Sequence, residues 1–420
     1  MSGLTIAQPV MRPIAAKERI EVLDVLRGFA IFGIILADVD ITFWDKTLTG
    51  VDHVLNQLHG VFVVDKFWPL FSFLFGLGFA LQLLRAETRG ARFLPVYLRR
   101  LFILLLFGLA NLMLLLHFYR GDVLHIYASL GFLLLLFRSR SPRTLLVVAL
   151  VCLLLPRAQD AVATRRHDLR LANPATARFV VQEDAEQKVE RRARRQEIRQ
   201  LRAQGTYREL TVRRTQLFLY WLARIENYYW WVGGIFPMFL LGLWVGRRHI
   251  FENLPAHLPF IRKVFWWGLG LGLVGQAIWF FSEEFSNPAW PYFTRQVGSL
   301  VEVFSDPALS FFYASSVILL AQREAWKKRL APLAAVGRMA LTNYLFQAVV
   351  FALILPSYGL GLYSKLTPLE AVGLALLIFA TQTLLSMWWL RRFRFGPAEW
   401  LWRTLTYGKL QPVRVRQIAA

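Results

Sequence analysis

Cysteine is all but missing from this 420-residue chain. The single one, Cys152, lies inside an apolar stretch, so disulfides and cysteine-ligated metals are excluded. A GxxxxGKS/T phosphate loop and an HExxH zinc motif are absent as well. Gly76-Leu77-Gly78 sits within an apolar run and not after a strand, so it is no dinucleotide fingerprint. His53 and His59 stand six apart with no clear third ligand, and no metal is expected. Acidic residues are few, 27 against 49 Lys and Arg, leaving a formal charge of +22. That balance does not indicate nucleic acid. Most of the basic residues flank apolar stretches, where cytoplasmic-loop arginine and anionic lipid headgroups account for them. No small-residue cleavage site follows the first apolar run, which Asp38 and Asp40 close, so it reads as a retained helix and not a signal peptide.

What the chain does have is apolar length. Apolar residues make up 56% of it, above the roughly 45–50% of soluble domains. Stretches near the 20 residues or so that cross a bilayer recur at 22–43, 61–84, 99–118, 122–137 and 143–157, then at 228–246, 262–282, 297–322, 337–356 and 368–390. The expected fold is all-α, a polytopic membrane helix bundle of about ten transmembrane helices, because lipid leaves the backbone few other ways to satisfy itself. Connections after the even-numbered helices carry Arg and Lys, for example Arg85, Arg89 and Arg92, then Arg247 and Arg248, then Lys327, Lys328 and Arg329. The other short connections are poor in both, which predicts both termini on the cytoplasmic side of the membrane.

Three regions are expected: an amino-terminal half of five helices (1–157), an extracytoplasmic polar segment with an interfacial helix (158–227), and a carboxy-terminal half of five helices (228–420). Glu and Arg three and four apart in the polar segment favour solvated helices. Gly268, Gly270 and Gly272 suggest a helix-packing face.

Ionisable groups in or at the ends of membrane helices are costly, which makes them site candidates. They form two layers. One end gathers Asp38, His53, His59 and Asp65, then Arg120, Asp122 and His125 around the third-to-fourth connection, and Glu226 before the sixth span. Carboxylates meeting imidazoles suit a general base and its orienting partner. N-capping is the rival role for Asp65 and Asp122. The other end gathers Arg27, Arg99, Arg100, Arg247, Arg248, Arg338 and Arg403. Guanidinium groups at one mouth suit a phosphate-bearing ligand, although lipid headgroups would also hold them. Thr342, Asn343 and Gln347 follow Arg338 as a polar stripe, either lining a cavity or bonding to another helix.

The stretches RIEVLDVLRGFAIFGIILADV, DKFWPLFSFLFGLGFAL, GDVLHIYASLGFLLLL and FPMFLLGLWVGR resemble the YeiB-like membrane proteins. GRMALTNYLFQAVV and FGPAEWLWRTLTYGKLQPVR resemble that family's carboxy-terminal signature, so the likeness covers nearly the whole chain. That family in turn resembles the transmembrane acyltransferases, among them heparan-glucosaminide N-acetyltransferases and bacterial sugar O-acyltransferases. Arg27 with the helix-ending Asp38, and the run from Asp65 through Pro69, Phe71 and Phe73 to Gly76, carry the likeness. Asp38 stands where the O-acyltransferases have histidine, and His59 is out of register with the loop histidine of the heparan-type enzymes.

The resemblance implies transfer of an acyl group from cytoplasmic acetyl-CoA or another acyl-CoA to an acceptor at the far face. His59, or Asp38 supported by Asp65, would act as base. Arg27, Arg338, Asn343 and Arg99 would hold the donor, and Asp122, Arg120, His125 and Glu226 the acceptor, a small molecule or an envelope glycan or lipid. Membrane lipids are the other expected partners, with a second copy of the chain as a further option. The alternative readings are a transporter or channel-like protein for a small amphiphile or anion, and a non-catalytic envelope scaffold.

Overall fold

The computed structural model describes residues 20–39, 48–114, 122–222, 226–284 and 291–414, and within these the fold is all-α. The amino-terminal part comprises α1 (Glu21–Asp38), α2 (Gly50–Phe62), α3 (Phe67–Thr88), α4 (Phe93–Leu114) and α5 (Val123–Leu134). Three helices follow: α6 (Pro142–Ala172), apolar in its first half and polar in its second, the polar α7 (Pro174–Gln204), and the shorter α8 (Tyr207–Leu222). The carboxy-terminal part comprises α9 (Glu226–Arg247), α10 (Leu254–Glu284), α11 (Pro291–Ala321), α12 (Glu324–Arg338), α13 (Ala340–Ile354), α14 (Pro368–Arg392) and the short α15 (Pro397–Tyr407).

Among the described residues, Gly50–Thr88, Phe93–Met113, Pro142–Ala172, Leu254–Ser282, Val297–Ala321 and Pro368–Arg392 are long and apolar enough to cross a bilayer. A seventh is added if α12 and α13, bent by 75° at their junction, count as one span. Two further apolar helices, Val123–Phe137 and Trp231–Arg247, are shorter. This is a multi-pass membrane protein. Each of the ten predicted apolar segments overlaps a helix. Residues 50–60, expected to belong to the connection before the second apolar segment, are instead helical as most of α2. The boundary expected at 157 falls inside α6, which continues unbroken through Pro156 to Ala172.

Local signals start the helices where the sequence changes character. Asp122 caps α5, its carboxylate accepting the His125 amide, and Ser141 and Asn173 cap α6 and α7, each followed by proline at the first helical position. Thr367 and Glu370 form a reciprocal capping box on α14. The solvated character expected of the polar segment holds for α7, most of whose residues are exposed. It carries Arg194–Glu190 at 3.2 Å, and Arg170–Glu183 and Arg213–Glu197 join it to α6 and α8.

Two close crossings organise the core. At α1–α12, a side chain on Gly28 would lie 1.9 Å from the Leu333 carbonyl oxygen, and one on Gly337 1.8 Å from that of Asp24. At α3–α9, Gly76 and Gly242 meet the Phe239 and Phe73 backbones in the same way. On α10, Gly268 and Gly272 face Ala308 and Leu309 of α11 as the packing reading expects, whereas Gly270 faces open space.

Candidate functional site

Among the described residues, two cavities of the bundle are lined by opposite charges. The larger, about 1030 Å³, is lined by six arginines: Arg27, Arg85, Arg100, Arg338, Arg394 and Arg403. The smaller, about 370 Å³, is lined by five carboxylates, Asp38, Asp65, Asp122, Glu302 and Asp306, and by Arg157. Four residues, Ile34, Val123, Tyr127 and Tyr344, line both cavities and so form the septum between them.

The two cavities occupy opposite ends of the bundle. Along α1, Asp24 and Arg27 face the arginine cavity, Ile34 the septum and Asp38 the carboxylate cavity. Arg27 and Asp38 are eleven positions apart on the helix, about 16 Å along the axis. Helix α3 runs the other way, from Trp68 at the carboxylate cavity to Gln82 and Arg85 at the arginine cavity.

The glycine crossing assembles the arginine cavity. Because Gly28 and Gly337 let α1 and α12 touch, their sequence neighbours Arg27 and Arg338 line one chamber. Arg27 is oriented by Asp24 at 2.9 Å. From α4, Arg100 lies over the Trp402 ring at 3.9 Å, and the Trp402 indole donates to the Arg100 carbonyl. Helix α15 forms much of the floor through Glu399, Trp402 and Arg403. Glu399 caps α13 from outside, accepting the amides of Leu341 at 2.7 Å and Thr342 at 3.1 Å and the Thr342 hydroxyl. Burial pushes its carboxyl above the ordinary range, against the pull of those hydrogen bonds. The Tyr97 hydroxyl, buried in the wall, has no hydrogen-bond partner among the described residues. Above the arginines the lining turns apolar, with Leu74, Phe75, Leu101 and Leu104.

The carboxylate cavity is a set of fixed acids. Asp122 is fully buried and accepts from Asn111 Nδ2 at 2.9 Å, the Tyr344 hydroxyl at 3.3 Å, and the amide and Nδ1 of His125 at 2.8 and 2.9 Å. Asp65 sits in the left-handed region at φ 63° and accepts from the Trp68 indole at 3.2 Å. Asp306 pairs with buried Lys66 at 3.0 Å and accepts from Gln276 at 2.8 Å. Glu302 lies 3.7 Å from Arg157. Over the α4–α5 end, Phe218 of α8 packs edge-on against His125. Burial, reinforced by Arg202, pushes the nearby Arg214 guanidinium down to about 10, with Asp122 opposing the shift. Among the described residues no group of three or more potential ligands is placed to hold a metal ion.

The sequence-expected residues divide accordingly. Asp38, Asp65 and Asp122 come together, as do Arg27, Arg338 and Arg403. His59 lines neither cavity. Its Nε2 lies 2.7 Å from the Leu36 carbonyl, which docks α2 on the end of α1. Asn343 lines neither cavity and bonds the Val336 carbonyl and Ser386 of α14, while Gln347 bonds Gln382, so the polar stripe serves helix contact. Arg100 reaches the arginine cavity, whereas Arg99 lies against Gly408. His125 supports Asp122 from behind and lines neither cavity. Arg120 and the Glu226 side chain lie outside the described residues.

Residues 245–409 match the family described as Protein of unknown function (DUF418). The chain is 32% identical to the uncharacterized protein YxaH of Bacillus subtilis (strain 168), across 96% of this chain and 98% of that one. The chain belongs to the YeiB-like family. A 79-residue stretch is 44% identical to the uncharacterized protein YeiB of Escherichia coli (strain K12), covering 19% of this chain and 20% of that one. An uncharacterized 39.9 kDa protein in the amylase 3' region of Bacillus acidopullulyticus is 30% identical across 97% of this chain and all of its own length. No solved structure matches.

In this YeiB-like chain the matched segment contains Arg338, Arg394, Glu399 and Arg403, so it supplies one wall of the arginine cavity. Sequence reasoning missed Glu302, Asp306 and Glu399. The first two were within reach, since carboxylates four apart inside an apolar run are costly enough to flag. Glu399 carried no such signal, because its partner amides are 57 and 58 residues away.

Proposed function

We propose that this YeiB-like protein is an integral membrane acyltransferase working across the bilayer from an acyl-CoA donor. The observation that carries this reading is the pair of oppositely charged cavities on either side of one septum. The donor's phosphates would meet Arg27, Arg338, Arg85 and Arg100, since guanidinium groups suit phosphate oxygens. The unpartnered Tyr97 hydroxyl would find an acceptor there, and the apolar upper wall would take the pantetheine arm and acyl chain. The thioester carbon would then stand at the septum of Ile34, Val123, Tyr127 and Tyr344. On the other side, Asp38 with Asp65 would take the proton from an acceptor hydroxyl or amine as it bonds to the acyl carbon. The C–S bond breaks, and coenzyme A leaves as the thiol after taking up a proton. His59 then serves as the pin of α1 and not as the base.

The orientation belongs to the same proposal: ten spans in a bacterial inner membrane, both termini and the arginine cavity cytoplasmic, and α7 extracytoplasmic. The positive-inside rule supports this. Purified, reconstituted protein given radiolabelled acetyl-CoA tests it. Acetyl-CoA hydrolysis or self-acylation, weakened about tenfold or more by Arg27→Gln or Arg338→Gln, is the expected result, a loss in keeping with one charge-assisted contact. Coenzyme A binding that ignores both substitutions overturns the assignment. The buried Lys66–Asp306 pair in a membrane helix favours a second reading, ion-coupled transport. Solute flux in liposomes without acetyl-CoA turnover would select it.

A further inference from the structure

Arginines from two distant tracts converge where α5 gives way to α6 and where α9 ends. Arg138 and Arg140 stand in the turn between α5 and α6, and Arg143 in the first turn of α6. Arg247 is the last residue of α9, and Arg248 follows it. The Arg247 guanidinium donates to the Arg140 carbonyl, which ties the α5–α6 turn to the end of α9. Beside it, Arg248 lies over the Trp244 ring at 4.4 Å.

Among the described residues none of these five arginines forms an ion pair with a carboxylate. Glu87 of α3 makes its charge felt at Arg247, and Glu252 is taken by His249. The junction is therefore strongly positive. Beyond Arg143 the same face of α6 turns apolar. Arg143, Val147 and Leu150 follow at spacings of four and three and so share that face. Val147 and Leu150 are 61% and 49% exposed. Helix α6 is long and apolar enough to cross a bilayer, so this face meets acyl chains. Arg143, at the start of the apolar run, then stands at the level of the headgroups.

We infer that Arg138, Arg140, Arg143 and Arg247, with Arg248 beside them, bind the phosphate of an anionic phospholipid whose acyl chains run along Val147 and Leu150 of α6. Guanidinium groups pair with phosphate oxygens through parallel N–H···O bonds, and basic pockets between membrane helices hold such headgroups. A zwitterionic headgroup would bring its own cation among these guanidinium groups, so a lipid of net negative charge is the occupant that fits. A soluble phosphate ester would meet the same arginines but leave the apolar track beneath them unused. Because Arg247 is joined to Arg140, one headgroup reaches both tracts and braces α6 against α9. The site stands apart from both cavities and holds whatever reaction they serve.

Cys152 is the only cysteine, so Cys152→Ser gives a thiol-free background. Val147→Cys is labelled with bimane in the full-length protein and reconstituted in phosphatidylcholine liposomes. Phosphatidylglycerol or phosphatidylcholine with brominated acyl chains is included at the same low mole fraction. Brominated phosphatidylglycerol is expected to quench the label several-fold more, and Arg138→Gln/Arg140→Gln/Arg143→Gln to bring the two lipids level. Equal quenching with the arginines in place, or a preference that survives the triple substitution, overturns the site. Leu385→Cys on α14, close to Arg391 and Arg392, reads the general pull of span-end arginines on anionic lipid. A preference there as large as at 147 overturns the site as well. So does a preference at 147 that glycerol phosphate abolishes, which would assign these arginines to a soluble phosphate. Should the triple variant fail to fold, Arg143→Gln alone is expected to lower the preference, and an unchanged preference counts against the proposal.

Discussion

Gly28 and Gly337 meet backbone to backbone, so close that a side chain on Gly337 would stand 2.7 Å from the Gly28 amide nitrogen. Their neighbours Arg27 and Arg338, more than 300 residues apart in the chain, thereby share one cavity. A larger residue must push α1 off α12. Gly337→Val is expected to destabilise the protein by about 1–3 kcal/mol, the usual scale of overpacking. Thermal unfolding in detergent measures it, and an unchanged midpoint would contradict the crossing.

Lys66 and Asp306 form an ion pair with both members buried. Removing one partner leaves the other charge without compensation, at about 3–5 kcal/mol, whereas replacing both by apolar residues is often near neutral. Lys66→Met alone should therefore unfold far earlier than the Lys66→Met/Asp306→Leu double variant. Equal losses in the two would remove the pair from this account.

At the septum, Tyr344 donates to Asp122 and accepts the Val123 amide at 3.3 Å. Tyr344→Phe removes one bond and is expected to cost about 0.5–1.5 kcal/mol. Asp122→Leu strips Asn111, Tyr344 and His125 of an acceptor at about 1–3 kcal/mol for each group left unsatisfied. A double-mutant cycle on Tyr344 and Asp122 should return a coupling energy; strict additivity would show the contact to be incidental.

Glu399 gives a pH dependence with a definite sign. Burial raises its carboxyl above the ordinary 4.5, so the folded state binds the proton more firmly than the unfolded state. Its contribution to stability therefore falls as pH rises from about 4.5 through the raised folded value, and is level above that. Glu399→Gln cannot ionise and should flatten this slope. Unfolding midpoints across that window, compared between the two proteins, check it, and parallel profiles would count against it.

Much of the helix layout was legible because crossing a bilayer demands about 20 apolar residues in a row, a local property. The gathering of Arg27 with Arg338, and of Asp38 with Asp65 and Asp122, was legible for a related reason. Charge in lipid is costly, so ionisable groups mark helix ends or interior surfaces. Helix α2 escaped because its 13 residues are too short and mixed to look like a span, and its apolar spacing stands out only once its ends are known.

The chain by itself determined which segments become helices and which helix ends carry guanidinium or carboxylate groups. Hydropathy, capping residues and loop charge act within a few turns of backbone. The tertiary structure alone decided that Arg100 and not Arg99 enters the cavity, that Asn343 serves α14, that His59 pins α1, and that two chambers meet at Tyr127 and Tyr344. Those outcomes depend on how helices are rolled against one another. Roll is set by close approaches such as Gly28 on Gly337, between residues that no local pattern connects.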